Sequence, residues 1–243
     1  MLYAIIADIH SNLAAFEAVL DDIAGRGGVG ELWCLGDVVG YGPDPHQCIE
    51  LLRGHKHLCV AGNHDWAAIG KMDTSDFNRE AAIACQWTGQ QLSSEDVQYL
   101  QSLPLILSRE NFTIVHGSPR EPIWEYVLST SNAEDNFACF ETRFCLVGHS
   151  HVPLVFELMD ENSVCLYRQF PDELLLGEHR LIINPGGVGQ PRDGDPRASY
   201  AIYDSEAMAI YHCRVSYNIA ATQERMIRQG LPWRLAARLD YGW

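Results

Sequence analysis

Five short clusters carry the chemistry of this chain, and all fall within its first 151 residues. They read Asp8-Ile9-His10, Gly36-Asp37-Val38-Val39-Gly40, Gly62-Asn63-His64-Asp65, Val115-His116-Gly117 and Gly148-His149-Ser150-His151. Together they offer carboxylate oxygens, one amide oxygen and several imidazole nitrogens, with no thiolate among them. Such donors suit hard or borderline divalent cations. Two cations held close together by them is what metal-assisted hydrolysis needs.

Asp8 and His10 stand two apart just past a strand end, so in extended backbone their side chains point the same way and can grip one cation. Asp37 lies between glycines that let backbone approach closely. From there its carboxylate can bridge two cations, although an Asp beside Gly is also an ordinary turn residue. Asn63 offers a neutral oxygen ligand. His64 points elsewhere and is better placed to act on substrate, and Asp65 can bond its second ring nitrogen and fix the tautomer. His116, His149 and His151 also follow apolar strands, and the last two can serve two metals.

These residues need elements to position them. Leu2 to Ala7 is a short apolar run of the kind buried on both faces of a sheet. A helix follows from a Ser11 or Asn12 cap, with Leu13, Phe16, Val19, Leu20 and Ile23 at helical spacing, and Gly25 and Gly27 stop it. Leu32–Leu35 and His57–Ala61 read as further strands. Asp44-Pro45-His46-Gln47 opens a helix between them, as a cap, a proline at the first position and Gln three residues after the cap. This strand–helix alternation predicts a parallel sheet covered by helices. Residues 75–102 read as helical with a break near Ser93-Ser94. After Pro104 the chain turns β-rich: a hairpin of Leu105–Leu107 and Phe112–Val115, then Phe144–Val147, Leu154–Leu158, Val164–Tyr167, Leu181–Ile183, Tyr200–Tyr203 and Met208–Val215. Residues 118–136 read as a structureless lid or substrate loop. The clusters straddle the two halves, which predicts two sheets of one domain spanning residues 1–243, with a helical extension over 218–243 packing on it.

The formal charge is −15, with 47% hydrophobic and 20% charged residues. There is no Lys/Arg cluster of the kind a nucleic-acid-binding face needs, and an acidic surface repels nucleic acid and anionic membranes. An anionic substrate therefore depends on local positive charge, which divalent metals can provide. The eight cysteines lie mostly in apolar runs and form no C-x-x-C pair, which reads as free thiols in a reducing compartment. No signal peptide opens the chain, and no apolar stretch approaches the ~20 residues that span a bilayer. A cytoplasmic protein is expected. His46, His55, His57, His179 and His212 have no motif context and are assigned no role.

The ordered set of clusters resembles the calcineurin-like metallophosphoesterase superfamily. The resemblance covers residues 2–187, and Tyr41-Gly42-Pro43-Asp44-Pro45 and Asn184–Asp193 are similar to its small bacterial and archaeal, phosphodiesterase-like branch, where Ser usually stands in place of Gly187. It implies an α/β fold, a four-layer α/β/β/α sandwich of two mixed β-sheets flanked by helices. It implies one metal held by Asp8, His10 and His151, another by Asn63, His116 and His149, and Asp37 bridging them. His64, supported by Asp65, would serve as acid while a metal-bridging hydroxide attacks a phosphomonoester or phosphodiester. Mn is the first choice of metal, with Fe, Zn, Ni or Co as alternatives. The substrate would be small and phosphorylated, a nucleotide among the candidates. Arg120 and Arg192 can hold a phosphate bidentately and Tyr41 can line the pocket; a surface role for each arginine and a turn role for the tyrosine are equally open. The aromatic C-terminal segment would pack on the body or on a second subunit as a homodimer. A catalytically silent interaction scaffold on the same fold is the competing reading.

Overall fold

The computed structural model describes residues 1–159 and 165–243, with Arg168 described for its backbone alone. The chain runs β1 (Leu2–Ile6), α1 (Leu13–Gly25), β2 (Glu31–Cys34), α2 (Pro45–Arg53), β3 (His57–Cys59), α3 (Asn63–Ala68), α4 (Arg79–Gln91), α5 (Ser94–Ser102), β4 (Ile106–Arg109), β5 (Phe112–Val115), α6 (Thr130–Phe137), β6 (Phe144–Leu146), β7 (Leu154–Leu158), β8 (Cys165–Gln169), β9 (Glu173–Leu175), β10 (Arg180–Asn184), β11 (Ala198–Asp204), β12 (Ala209–Val215), α7 (Ile219–Arg228) and α8 (Trp233–Ala237). The strands form two mixed sheets of six, in the orders β3-β2-β1-β11-β12-β9 and β4-β5-β6-β10-β7-β8. β1, β2 and β3 are parallel neighbours, as are β5, β6 and β10.

Alternation along the strands builds the layers. In β1 and just beyond it, Tyr3, Ile5 and Ala7 face the second sheet. There they join Trp33, Leu35, Phe112, Ile114, Phe144 and Leu146 in the core between the sheets. Ala4 and Ile6 face the other way, onto Phe16, Val19 and Ile23 of α1 and Ile49 and Leu52 of α2. On the far side of the second sheet, Cys145, Phe156 and Ile182 pack against Ala133 and Phe137 of α6. The result is the expected α/β/β/α sandwich. The C-terminal helices cover a different flank, where Met226, Leu231, Leu235 and Leu239 pack against Tyr41, Ala81 and Ala84.

Several local expectations need correction. The segment 118–136 is not structureless throughout, since its last third enters α6. Ser129 caps that helix by accepting from Asn132 N at 3.2 Å, and Ala133 and Phe137 supply its buried stripe. Asp44 precedes α2 but makes no capping hydrogen bond there; its carboxylate instead pairs with Arg225 of α7, since a charged partner outbids a backbone amide. Gly62 caps α3 and Asn63-His64-Asp65 form its first turn, an element with no counterpart in the sequence reading. β9 had no counterpart in the sequence reading, and of the strand expected over Val164–Tyr167, Val164 lies outside the described residues. All eight cysteines are free, and seven are buried. Among the described residues no helix is long and apolar enough to cross a membrane.

Phe112 is fully buried between the sheets against Trp33, Phe144 and Tyr203. Phe112→Ala should cost about 3–5 kcal/mol in urea unfolding, the range for emptying a large aromatic site.

Candidate metal centre

Every cluster leaves the C-terminal end of a parallel strand, and the two sheets present those ends at one shared edge. Asp8 and His10 follow β1, Asp37 follows β2, Asn63 and His64 follow β3, His116 follows β5, and His149 and His151 follow β6. The loops are tied across that edge by backbone bonds from Asp8 N to Gly36 O (3.1 Å), His10 N to Asp37 O (2.9 Å) and Gly148 N to His116 O (2.8 Å). The Asp8 carboxylate accepts from His149 N at 3.2 Å and so joins the sheets. Asp8, His10, Ser11, Asp37, Tyr41, His149 and His151 all have left-handed φ of 48–63°. Such backbone costs about 1–2 kcal/mol per residue and concentrates where a site over-determines it. Gly62 lets two of these loops approach closely. A Cβ there would lie 2.0 Å from Asp37 Oδ1, so only glycine lets the loops after β2 and β3 meet.

The seven residues read as ligands come together in two groups that share a wall. Asp8, His10 and His151 converge on one point, and Asp37, His116 and His149 on another. Asn63 Oδ1 lies 3.1 Å from His116 Nε2. The outer ring nitrogens settle the tautomers. Nδ1 donates to Val39 O from His10 (3.1 Å), to Leu35 O from His116 (2.8 Å) and to Gln190 O from His151 (2.6 Å). His10 and His151 then turn a bare Nε2 lone pair inward, the arrangement that metal-ligating histidines adopt, while His116 turns its Nε2 to Asp37 Oδ2 at 3.4 Å. His149 is reversed, with Nε2 donating to Trp124 O at 3.0 Å and Nδ1 left free.

Among protein atoms alone the centre is unfavourable. His10 Nε2 and His151 Nε2 face each other at 3.0 Å, lone pair against lone pair. Asp8 Oδ2 and Asp37 Oδ2 are buried without a hydrogen-bond partner, which is costly for a carboxylate. Burial pushes the Asp8 carboxyl up to about 7 and holds His10, His149 and His151 well below the usual imidazole range. His116 is pulled against its burial to about 9, chiefly by Asp37 beside it. These groups favour positive charge at the points where the ligand atoms meet, and the donor set fits divalent cations.

Asp65 does not do what the sequence suggested. Its carboxylate accepts from the backbone amides of Asp37 (2.9 Å), Val39 (3.1 Å) and Gly62 (3.0 Å), so both oxygens are committed to the loops and neither meets the His64 ring. The His64 Nδ1 instead meets Cys85 Sγ of α4 at 3.1 Å. Burial lowers His64 to about 4. Its backbone amide donates to Asp37 Oδ1 at 2.8 Å.

A cleft of about 210 Å³ opens over the centre, with Asp37, Asn63, His64, His149, Tyr41, Arg192, Phe77 and Trp124 on its walls. Arg192 reaches Tyr41 Oη (3.3 Å) and Gln190 Oε1 (3.1 Å) from its Nη2. Both lie where the sequence reading placed them. Arg120 does not join them, because its exposed guanidinium is bound by Glu125 and Asp135. Carboxylates nearer than any phosphate explain that correction. The sequence reading missed Phe77, Trp124, Tyr126 and Cys85. Trp124 and Tyr126 remain 38% and 43% exposed at the mouth, and Tyr126 stacks on His149 at 3.9 Å. Helical spacing of Ala81, Ala84, Cys85 and Thr88 marks the buried face of α4, but nothing in the sequence names the partner of Cys85.

A sequence model of the calcineurin-like phosphoesterase superfamily domain matches residues 1–208. An uncharacterized protein of Methanocaldococcus jannaschii is 41% identical across 99% of this chain and 98% of its own. The crystal structure of a metallophosphoesterase from Sphaerobacter thermophilus superposes with a TM-score of 0.89 at 47% identity, covering 100% of this chain and 99% of the other. A symmetrical bis(5'-nucleosyl)-tetraphosphatase of Erwinia tasmaniensis is 32% identical over 64% of this chain and 55% of that enzyme.

Asp65→Asn should loosen the loops that carry Asp37 and Asn63. An amide cannot accept from all three N–H groups, and metal affinity should fall about 10–100-fold, as measured by metal content after dialysis against graded free Mn²⁺.

Proposed function

The chain belongs to the calcineurin-like phosphoesterase superfamily, and from that premise we propose that it is a dinuclear-metal phosphoesterase acting on small phosphomonoesters or phosphodiesters. One observation carries the reading: four imidazoles aim a ring nitrogen inward, two carboxylates present oxygens that no described residue hydrogen-bonds, and all of them converge beneath a cleft. Asp8, His10 and His151 would hold one ion, Asn63, His116 and His149 the other, with Asp37 between them. Mn²⁺ is the first choice and Fe, Zn, Ni or Co the alternatives, since mixed oxygen and imidazole donors accept each of these. Two such ions supply Lewis acidity, neutralise phosphate oxygens and lower the pKa of a water towards neutrality.

The remaining chemistry belongs to the chain. Asp37 and Asn63 on the cleft floor set where phosphorus sits. Arg192, with its Nε unpartnered, offers a fork of donors to a phosphate oxygen, and its bond to Gln190 holds it over the floor. Tyr41 flanks both Arg192 and His64, with its ring 4.3 Å from that of His64. As the P–O bond to the leaving group breaks, the leaving oxygen gains charge, and hydrogen on His64 Nε2 meets it. Phe77 and Trp124, 5.1 Å apart, wall the cleft in a way that suits an aromatic group on the substrate. That wall and the tetraphosphatase relative make nucleotides the first substrates to try. The cysteine usage supports a cytoplasmic setting.

Asp37→Ala should lose bound metal and activity together. His64→Ala should keep its metal and lose roughly 10²–10⁴-fold in kcat on phenyl phosphate, whose leaving oxygen needs a donor, with smaller losses on p-nitrophenyl phosphate and bis(p-nitrophenyl) phosphate, read beside metal analysis. Loss of metal from His64→Ala would move that residue into the ligand set, where its nearness to His10 and Asp37 also allows it. Chelation should abolish turnover and added Mn²⁺ restore it. No turnover of any of these esters with Mn²⁺, Zn²⁺ or Fe²⁺ would favour the interaction scaffold.

A further inference from the structure

His64 is the one histidine of the five clusters that the proposed function keeps free of metal, and its usefulness depends on which nitrogen faces the substrate. The ring is confined sideways by His10, Tyr41 and Phe77, at centroid distances of 4.8, 4.3 and 5.0 Å. Those contacts are face and edge packing. They limit tilt but do not choose between the two ring nitrogens. Asp65, next in sequence, is committed to three backbone amides. Position 40 carries no side chain, and a Cβ there would lie 2.6 Å from His64 Nδ1. The group that meets Nδ1 is therefore Cys85 Sγ, at 3.1 Å, from the buried face of α4.

We propose that Cys85 is a positioning residue for His64, its thiol fixing the ring's orientation and tautomer so that Nε2–H is presented to the leaving oxygen. The inference rests on the reading of His64 as the leaving-group donor. Two forms of the ring satisfy the contact and show Nε2–H, and the Nδ1–H tautomer, which would leave Nε2 bare, is the alternative that the test below separates. A neutral imidazole accepts S–H at Nδ1 and must then carry its hydrogen on Nε2, whereas an imidazolium donates Nδ1–H to sulfur and still shows Nε2–H to the cleft. Burial pushes the Cys85 thiol up, so the sulfur keeps its hydrogen. Cys85 is only 1% exposed and is absent from the cleft lining. It acts on substrate only through His64.

The test uses the full chain loaded with Mn²⁺ and two esters that differ in the leaving group: a p-nitrophenyl ester, whose leaving oxygen needs little help, and the unsubstituted phenyl ester, whose leaving oxygen needs a donor. His64→Ala sets the scale, with a much larger loss of kcat on the phenyl ester. Cys85→Ala should show the same selectivity at smaller size. About 10–100-fold should be lost in kcat on the phenyl ester, the usual cost of removing a group that orients a functional histidine, with little lost on the p-nitrophenyl ester. KM and metal content should be unchanged. Cys85→Val, of similar volume but unable to hydrogen-bond, should match it, and Cys85→Ser should recover most of the rate. Equal losses on both esters, or no loss on either, while His64→Ala keeps its selectivity, would overturn the role of Cys85 and leave the donor role of His64 standing. No selectivity in His64→Ala would overturn the donor reading and this inference with it.

Discussion

Lone pair against lone pair is the constraint on which this structure turns. His10 and His151 aim bare nitrogens at each other across 3.0 Å, and two buried carboxylates sit beside them, each with an oxygen that no described residue hydrogen-bonds. A fold does not arrive at such an arrangement by packing alone, because each contact opposes burial. The surrounding scaffold holds it there. Seven left-handed residues absorb backbone strain around the centre, carbonyls of two loops capture the outer nitrogens of three rings, and a glycine at position 62 lets two loops nearly touch. The strain and the repulsion have a common remedy in positive charge at the centre, and the donor set is suited to divalent ions.

The acidic surface and the centre act in opposite directions on an anionic substrate. A net charge of −15 disfavours phosphate at a distance, where salt screens the effect within about 10 Å. Inside the cleft, short-range donors decide. Arg192 reaches the cleft because the Gly/Pro-rich run after β10 wraps back over the centre, with Val188 N and Gly189 N bonded to Ala7 O and Asp8 O at 2.9 Å. The C-terminal helices back this arrangement, with Leu235, Leu239 and Met226 packed behind Tyr41. The family match ends at residue 208, so those helices lie beyond the matched residues while packing behind Tyr41, which lines the cleft.

Much of this was legible in the sequence for a physical reason. Short apolar runs ending in Gly, Asp and His at a regular strand–helix rhythm leave few topologies open. The donors had to meet at one edge once the strands were parallel. What stayed hidden depends on contacts between distant segments. Asp65 looked like a partner for its neighbour His64, but adjacent residues at the start of a helix diverge, and its carboxylate turned to two amides of the loop after β2 and to the capping amide of its own helix. Asp44 looked like a helix cap, yet Arg225, 181 positions away, took it. Arg120 looked like a phosphate ligand, and two nearby acids claimed it. The buried face of α4 could be read from helical spacing, but the arrival of Cys85 on the ring of His64 could not.

The order of strands in the first sheet has a consequence for how the protein is made. β1 carries the first two donors, and it lies between β2 and β11. One neighbour is complete by residue 34, whereas the other is not synthesised until residue 204. Every donor has left the ribosome long before the sheet that aligns Asp8 and His10 can close. A nascent chain therefore exposes all its donors on strands that lack their final register, and the precise gathering of ligands waits until β11 has been made. Selectivity among metals, if it depends on geometry, belongs to the finished sandwich and not to the chain emerging towards it.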